Sequence, residues 1–268
     1  MRVAVVGHVE WVEFVRGERV PGAGQIVHAS AGFEEPAGGG AVAAVELARL
    51  AGKSTLFTAL GDDEHATRTR ARLGELGVRV EAAIRDEPTR RAFTFLDAHG
   101  ERTITTIGER LAPRGEEPLD WDALDGADGA YVTAGDLGAL RAARRAKVLV
   151  ASPRMGRVLA ESGVELDALV LSDRDELELG LARALLPRPA LLVATRGSEG
   201  GRYETADGEA GSWDAAPLPG PIADSYGSGD TFAAALTYGL AAGEPVERAL
   251  RRAAEAGAAC MTRRGPYG

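Results

Sequence analysis

The sequence predicts one α/β domain, in which helices cover both faces of a mostly parallel central sheet and a small β-sheet forms a lid. Short apolar segments rich in β-branched residues alternate with helical patterns along most of the 268 residues, as in βαβ units. One segment, residues 92–107, breaks this alternation with a hairpin pattern. The composition, 45% hydrophobic and 26% charged, is typical of a globular chain.

Six segments are predicted to be strands of the central sheet, because each is short and apolar and is followed by a helical pattern. They are residues 3–6, 55–60, 131–133, 148–151, 169–171 and 191–195. Val42, Val45 and Leu50 fall on one stripe of a helix predicted over residues 41–51. A hairpin over residues 202–213, with Asp207-Gly208 at its turn, is expected at the edge of this sheet.

The lid is predicted from segments that lack helical signals. Residues 92–96 and 102–107 flank a turn at residues 97–101 and are expected to form an antiparallel hairpin. Residues 12–35 contain many glycines with scattered Val and Ile, and they are expected to supply further strands. The single domain therefore spans residues 1–268, with lid strands drawn from about 12–35 and 88–108.

Composition excludes several classes of function. With 31 Lys and Arg against 40 Asp and Glu, the net charge is −9, so a nucleic acid would be repelled. No apolar stretch approaches the length of a membrane span and no leader segment is recognisable, which predicts a cytoplasmic protein without a membrane partner. The single cysteine, Cys260, excludes an internal disulfide and a zinc site built from cysteines. The histidines have no metal-ligand spacing and are expected on the surface or in the lid; they are His8, His28, His65 and His99.

Residues 224–230, Asp-Ser-Tyr-Gly-Ser-Gly-Asp, form a glycine-rich turn that leads into an alanine-rich helical pattern. Backbone N–H groups of such a turn converge at a helix N-terminus and bind an anion such as a phosphate. Asp230 then has two interpretations. It is either a base that accepts the proton of an alcohol attacking that phosphate, or a helix N-cap beside a plain tight turn.

This segment resembles the C-terminal signature of the ribokinase-like (PfkB) carbohydrate kinases, which reads Asp-Thr-x-Gly-Ala-Gly-Asp. Other segments are similar to motifs of that family and occur in the same order along essentially the whole chain. They are the Gly-Gly turn and helix at residues 37–44, Gly-Asp-Asp at 61–63, Leu-x-x-x-Gly-Val at 73–78, the lid residues 88–89 and 100–102, and a nucleotide-binding turn at 195–201.

The resemblance implies a ribokinase-like fold and an ATP-dependent transfer of a phosphoryl group to a hydroxyl of a sugar or sugar-like molecule. It implies that the amides of Gly227, Ser228 and Gly229 hold the transferring phosphate and that Asp230 is the base. The residues implied at the nucleotide are Thr195, Arg196, Gly197, Gly200 and Asp224, and those implied at the acceptor are Glu10, Gly38 and Gly39.

Ions and a partner subunit are also implied by the resemblance. Mg²⁺ is expected to be coordinated mainly by phosphate oxygens and water, with Asp175 and Glu176 as the carboxylates that organise it. A monovalent cation is implied near Asp224 and residues 263–265, and a homodimer through the lid. Arg154, just after a predicted strand, is a candidate phosphate clamp because a guanidinium binds two phosphate oxygens at once.

Four positions depart from the family pattern. Val12 stands where the family has a substrate-binding Asp, and Val42 stands where it has an Asn, so polar acceptor contacts must come from elsewhere, with Glu10 or Glu13 as candidates. Ser172 and Asp175 replace the Asn and Glu of an Asn-x-x-Glu motif, and a helix start rich in acids is the alternative interpretation of that segment.

These departures leave two alternatives open. One is a nucleoside kinase of the same fold, which an apolar acceptor pocket with Val42 and Trp11 near the base would favour. The other is a nucleotide- or sugar-binding homologue without turnover.

Overall fold

The computed structural model describes residues 1–268, which form thirteen strands and seven α-helices. The strands are β1 (Val3–Val6), β2 (Glu10–Arg16), β3 (Ala31–Ala37), β4 (Ser54–Gly61), β5 (Val78–Arg85), β6 (Arg91–Leu96), β7 (Arg102–Ile107), β8 (Gly129–Val132), β9 (Val148–Ala151), β10 (Ala168–Ser172), β11 (Leu191–Thr195), β12 (Gly201–Thr205) and β13 (Ala210–Trp213). The helices are α1 (Gly39–Ala51), α2 (Glu64–Glu75), α3 (Leu137–Ala143), α4 (Arg157–Glu161), α5 (Glu176–Ala184), α6 (Ser228–Ala241) and α7 (Val246–Met261).

Nine strands form the central sheet, in the order β13-β12-β11-β10-β9-β8-β1-β4-β5. Neighbours from β11 to β5 pair in parallel, and β12 and β13 add an antiparallel hairpin at one edge. On β1, Val3 and Val5 join one apolar cluster. Ala4 and Val6 join a second cluster on the opposite face, as the two-residue period of a strand requires.

Helices cover both faces, as the alternating pattern predicts. Apolar residues of α1, α2, α6 and α7 belong to the first cluster, and those of α3, α4 and α5 belong to the second. None of these helices combines the length and the apolar character needed to cross a bilayer. The predicted fold class is therefore confirmed in its central sheet and its two helical layers.

Four strands form a separate lid sheet in the order β3-β2-β6-β7. Strand β2 pairs antiparallel with β3 and parallel with β6, and β6 and β7 form the hairpin that the sequence indicates. Only the two ends of the glycine-rich segment around residues 12–35 are strands, because β2 ends at Arg16 and β3 begins at Ala31.

Sequence patterns missed one strand of the central sheet, β5. It is the edge strand beyond β4, and most of its side chains are only partly buried. Its sequence therefore alternates apolar and charged residues instead of showing the continuous apolar run of the inner strands.

Helix α1 lies unusually close to the end of β1. A Cβ atom on Gly40 would be 2.7 Å from the backbone oxygen of His8 and 2.8 Å from the carbonyl carbon of Gly7. Only glycine permits this approach. It brings the N-terminus of α1 to the carboxyl edge of the parallel strands, which is where open α/β sheets bind their ligands.

Candidate active site

The glycine turn before α6 is built as an anion site. Gly227 is the N-cap residue, with a φ of 79° in the left-handed region that favours glycine, and no side chain caps the helix. The first N–H groups of an α-helix have no partner within the helix. The amides of Gly227, Ser228 and Gly229 therefore face the carboxyl edge of the sheet with hydrogen-bonding capacity in reserve.

Asp230 lies in the first turn of α6, so its interpretation as the N-cap is wrong. Its side chain is 13% exposed, with Oδ2 3.8 Å from Nη1 of Arg154. The Tyr131 hydroxyl donates to Oδ1 of Asp230 over 3.4 Å. Burial, and then the negative charge of Asp230, raise the pKa of Tyr131 well above its ordinary value, so this hydroxyl keeps its proton.

The start of α1 forms the opposite wall of the site. A Cβ atom on Gly39 would be 2.9 Å from Oδ1 of Asp230 and 3.0 Å from Oγ1 of Thr133. The backbone N–H of Gly38 donates to the buried hydroxyl of Tyr226 over 3.1 Å. The structure therefore brings Gly39, which is far away in the sequence, directly against the predicted base, and it places Gly38 against Tyr226 of the glycine turn.

Val42 supports the glycine turn from beneath. Its side chain is buried, and Cγ1 would be 2.9 Å from a Cβ atom placed on Gly227. Trp11 stacks on His65, with ring centroids 5.5 Å apart, and carries the guanidinium of Arg68 on its ring. Val42 therefore lies next to the glycine turn, and Trp11 packs against two residues of α2.

Glu10 is buried next to this wall, whereas Glu13, on the other face of β2, is exposed. Nε of Arg90 lies 3.2 Å from Oε1 of Glu10, and Nε2 of His8 lies 3.7 Å from the same oxygen. Burial raises the pKa of Glu10, and the neighbouring arginines oppose this shift. Of the two acidic candidates at the acceptor, the structure brings only Glu10 into the interior.

The expectation that His8 is a surface or lid residue is wrong, because the residue is only 6% exposed. Burial lowers the pKa of His8 from 6.5 to about 3, and the positive charges of Arg110, Arg90 and Arg154 act in the same direction. A neutral imidazole therefore lines the site, and its Nδ1 has no hydrogen-bond partner.

The predicted nucleotide turn follows β11 at the same edge of the sheet. The N–H of Arg196 donates to the oxygen of Gly200 over 2.8 Å, and Nε of Arg196 donates to Asp173 over 2.8 Å. The Thr195 hydroxyl donates to the oxygen of Leu171 over 3.1 Å, which fixes the turn to β10. Gly197 and Gly200 both have positive φ, so the turn folds as a compact loop beside Ser172, the register partner of Thr195.

The predicted metal carboxylates lie at the start of α5. Asp175 is the N-cap, and its Oδ1 accepts from the N–H groups of Leu177 and Glu178; Glu176 is exposed. Glu178, one turn further, is the carboxylate that faces the site. Its Oε2 accepts from the N–H of Ser172 over 2.8 Å, and its Oε1 lies 3.9 Å from Nε of Arg154.

Arg154 therefore connects two carboxylates, those of Glu178 and Asp230. The negative charge of Asp230 raises the pKa of Arg154 against the opposing effect of burial. A bidentate guanidinium between the nucleotide edge and the base is well placed to contact a phosphoryl group in transfer.

Asp224 is completely buried before the glycine turn. Its Oδ1 accepts from the N–H of Tyr226 over 2.7 Å, whereas Oδ2 has no partner. Burial raises the pKa of Asp224. Asp224 thus holds the turn in shape and has one oxygen free for a further ligand.

Sequence reasoning missed five polar residues of this site: His8, Arg90, Arg110, Tyr131 and Glu178. They belong to different elements, and only folding brings them together. Glu178 had one available signal, since it lies one helical turn beyond Asp175 and so shares its face of α5.

Comparison with known proteins found a matching family and several similar proteins. A family model described as pfkB family carbohydrate kinase matches residues 1–151 and 161–268. The chain is 28% identical to the ATP-dependent ribose-1-phosphate kinase of Halopiger xanaduensis, over 99% of this chain and 93% of that protein. It is 24% identical to the ribokinase of Bacillus subtilis, over 99% of this chain and 94% of that protein.

Solved structures give the same fold. The ribokinase of Arabidopsis thaliana, complexed with ribose and ATP, superposes with a TM-score of 0.78 at 22% identity, over 98% of this chain and 93% of that chain. At this level of identity the likeness establishes the architecture of the sheet, helices and lid.

The buried neutral His8 predicts a specific pH dependence of stability. In the unfolded chain its imidazole takes up a proton near its ordinary pKa of 6.5, but in the folded protein it does so only near 3. Protonation therefore favours the unfolded state, and stability is lost as the pH falls from about 6.5 towards 3. At about pH 5 the loss due to His8 is about 2 kcal/mol.

Urea unfolding of the wild type and of His8→Asn at about pH 7 and about pH 5 measures this loss. The variant is expected to lose about 2 kcal/mol less than the wild type over that interval. His99→Asn, at an exposed lid position, is the matched control and keeps the wild-type dependence. Equal losses in the wild type and His8→Asn would contradict a neutral buried His8.

Proposed function

This chain belongs to the pfkB family of carbohydrate kinases, and we propose that Asp230 is the base with which it activates the acceptor. The protein is an ATP-dependent kinase that phosphorylates a hydroxyl group of a sugar or sugar-like molecule. The position of Asp230 is the observation that supports its role as the base. Its carboxylate lies in the first turn of α6 beside the uncapped glycine turn and against Gly39 of α1.

In this reaction an acceptor hydroxyl lies between Asp230 and the γ-phosphorus of ATP. The carboxylate takes the hydroxyl proton, the acceptor oxygen forms a bond to the γ-phosphorus, and the bond from that phosphorus to the bridging oxygen of ADP breaks. The amides of Gly227, Ser228 and Gly229 stabilise the negative charge on the transferring group. The Arg154 guanidinium, 3.8 Å from Asp230, contacts the same group from the other side.

The nucleotide is expected beside the turn of residues 195–200, which provides Thr195, Arg196, Gly197 and Gly200. The turn lies at the same carboxyl edge of the sheet as the glycine turn, and Ser172, Glu178 and Arg154 connect the two in space. This arrangement allows ATP to extend along the edge with its γ-phosphate at the start of α6.

Two alternatives are disfavoured by the same geometry. A non-catalytic homologue has no need for a half-buried carboxylate facing the anion site, yet Asp230 lies there. A nucleoside acceptor would be favoured by Val42 and Trp11 near the base, but Trp11 stacks on His65 and carries Arg68 on its ring.

Replacing Asp230 with Asn keeps the size of the side chain but removes its ability to accept the proton. We expect kcat to fall by about 10²- to 10⁴-fold, with the dissociation constant of ATP nearly unchanged because the amides remain. ADP formation across a panel of sugars and sugar derivatives measures kcat, and calorimetric titration measures the dissociation constant of ATP. The control is Asp207→Asn, at the exposed turn between β12 and β13. An Asp230→Asn variant that keeps more than about a tenth of the wild-type kcat would contradict the role of Asp230 as the base.

Mg²⁺ is expected to accompany ATP, and when bound it neutralises charge on the phosphate oxygens. Carboxylates that hold the waters of such an ion fit its preference for oxygen ligands. The sequence predicts Asp175 and Glu176 for this role. Contacts favour Glu178, because both N–H groups that Asp175 caps occupy its Oδ1, whereas Oε1 of Glu178 lies 3.9 Å from Arg154, which in turn lies 3.8 Å from Asp230.

The Mg²⁺ concentration at half-maximal rate separates these carboxylates. We expect Glu178→Gln to raise it by about 10-fold, since the amide still accepts from the N–H of Ser172 but no longer carries charge. Asp175→Asn and Glu176→Gln are matched variants, and both are expected to leave the half-maximal concentration near that of the wild type. If the half-maximal Mg²⁺ concentration rises more in Asp175→Asn than in Glu178→Gln, then Asp175 organises the metal ion, as the sequence predicts.

A monovalent cation is a further expected ligand. The free Oδ2 of Asp224, completely buried next to the glycine turn, is an oxygen ligand of the required kind. The positive charges of Arg102 and Arg16 already oppose the rise that burial causes in the pKa of this carboxylate, and a cation at the free oxygen would stabilise it further and would fix the turn. Turnover in potassium chloride compared with tetramethylammonium chloride at equal ionic strength tests the proposal, and equal rates would contradict it.

A homodimer through the lid is proposed from strand β7. All six of its residues are exposed, including Ile104 and Ile107, and the strand is a free edge of the lid sheet. A second copy of the chain that pairs along this edge would cover both features. Light scattering measures whether the wild type is a dimer and whether Ile104→Lys weakens that dimer. A monomeric wild type would contradict the proposal.

A further inference from the structure

The two carboxylate oxygens of Asp230 have different surroundings. Oδ1 accepts the hydrogen bond of the Tyr131 hydroxyl over 3.4 Å, and a Cβ atom on Gly39 would lie only 2.9 Å from it. Oδ2 lies 3.8 Å from Nη1 of Arg154, whose side chain is half-exposed. The first oxygen is therefore enclosed by the protein, and the second lies on the side of the guanidinium that the proposed mechanism places at the transferring phosphate.

The orientation of this carboxylate is not fixed by its own covalent geometry. The terminal torsion angle of an aspartate is broad, so rotation of the carboxylate costs little unless other groups hold it. Asp175 and Asp224 are held by backbone N–H groups. Asp230 accepts no such bond, and the hydroxyl of Tyr131 is the one hydrogen-bond donor that holds it.

Tyr131 is held more firmly than the carboxylate that it contacts. It lies on β8, between β1 and β9 in the middle of the central sheet, where its register partners are Val5 and Val150. Only 2% of the residue is exposed, and it belongs to the apolar cluster that residues of α6 also join. A close-packed ring on a central strand has little freedom to move, so its hydroxyl is a fixed point from which to hold the carboxylate.

The protonation state of Tyr131 suits it to donate. Burial, and then the negative charge of Asp230, raise the pKa of Tyr131 well above its ordinary value, and the positive charge of Arg154 opposes this shift. The hydroxyl donates to no other group of the protein. Tyr131 therefore keeps its proton and directs it at Oδ1 of Asp230.

We propose that Tyr131 is a positioning residue for the base, whose hydroxyl holds Oδ1 of Asp230 so that Oδ2 is the oxygen that accepts the proton of the acceptor. The inference rests on the proposed role of Asp230 and adds to it a second residue and a specific atom. The acceptor proton passes to Oδ2 while the acceptor oxygen bonds to the γ-phosphorus and the bond to ADP breaks, and Tyr131 keeps its own proton throughout. Hydrogen bonds around a base are often long without substrate and shorten when substrate is bound, which fits the distance of 3.4 Å.

Replacing Tyr131 with Phe removes the hydroxyl and keeps the packing of the ring. We expect kcat to fall by about 10-fold, because a carboxylate that rotates spends less time in the reactive orientation. The KM of the acceptor and the dissociation constant of ATP are expected to stay near those of the wild type. The matched control is Tyr203→Phe, since the Tyr203 hydroxyl also donates to a carboxylate, that of Glu247, but between β12 and α7; it is expected to keep the wild-type kcat.

A double-mutant comparison separates positioning of the base from general support of the structure. Tyr131→Phe is measured both alone and together with Asp230→Asn, by ADP formation with ATP, Mg²⁺ and the pentose or hexose that gives the wild type its highest rate. If the hydroxyl acts through the carboxylate, its removal from Asp230→Asn is expected to change kcat by less than about 2-fold. A merely structural loss lowers kcat by a similar factor in both backgrounds. Circular dichroism verifies that every variant is folded.

Failure of the inference and failure of the proposed function give different results. A wild-type kcat in Tyr131→Phe, an equal loss in both backgrounds, or a raised KM of the acceptor with kcat unchanged would overturn the positioning role and leave Asp230 as the base. An Asp230→Asn variant that keeps more than about a tenth of the wild-type kcat would remove the base itself, and the inference with it.

Discussion

The contact between the starts of α1 and α6 is the constraint on which the site depends. Gly39 leaves no room for a side chain between its backbone and Asp230, and Gly40 allows α1 to lie against the end of β1. Tyr226 closes the contact by accepting a hydrogen bond from Gly38. Two helix N-termini thus meet at one point, and their peptide dipoles concentrate positive potential there.

The lid is connected to this contact by hydrogen bonds as well as by packing. Nη1 of Arg102, on β7, donates to both the backbone oxygen and the hydroxyl of Ser225, at 2.9 and 3.0 Å. The N–H of Ser225 donates to the oxygen of Gly100 in the lid turn over 3.2 Å. The glycine turn and the lid hairpin therefore constrain each other, so a movement of the lid would also move the amides of the turn.

Local sequence patterns were sufficient for the parts of the site that are local in the chain. The segment from Asp224 to Asp230 contains its own glycines, helix start and carboxylate, and the strands of the inner sheet have continuous apolar runs. The cluster of His8, Arg90 and Arg110 has no such signature. Its members act on each other through space, and in a chain with 31 Lys and Arg no pattern distinguishes them from surface charges.

The departures from the family signature are coupled through the packing of the acceptor side. Val42, in place of an amide side chain, fills the space beneath Gly227. Glu10 is a buried polar group on the same side, and it is paired with Arg90 because an unpaired buried carboxylate is costly. A buried ion pair thus stands on the side of the site where the family signature has a neutral amide. On the proposed assignment of Glu10 to the acceptor, a ligand that disturbs this pair has to supply compensating polar or charged groups of its own, because separating a buried pair leaves an uncompensated charge.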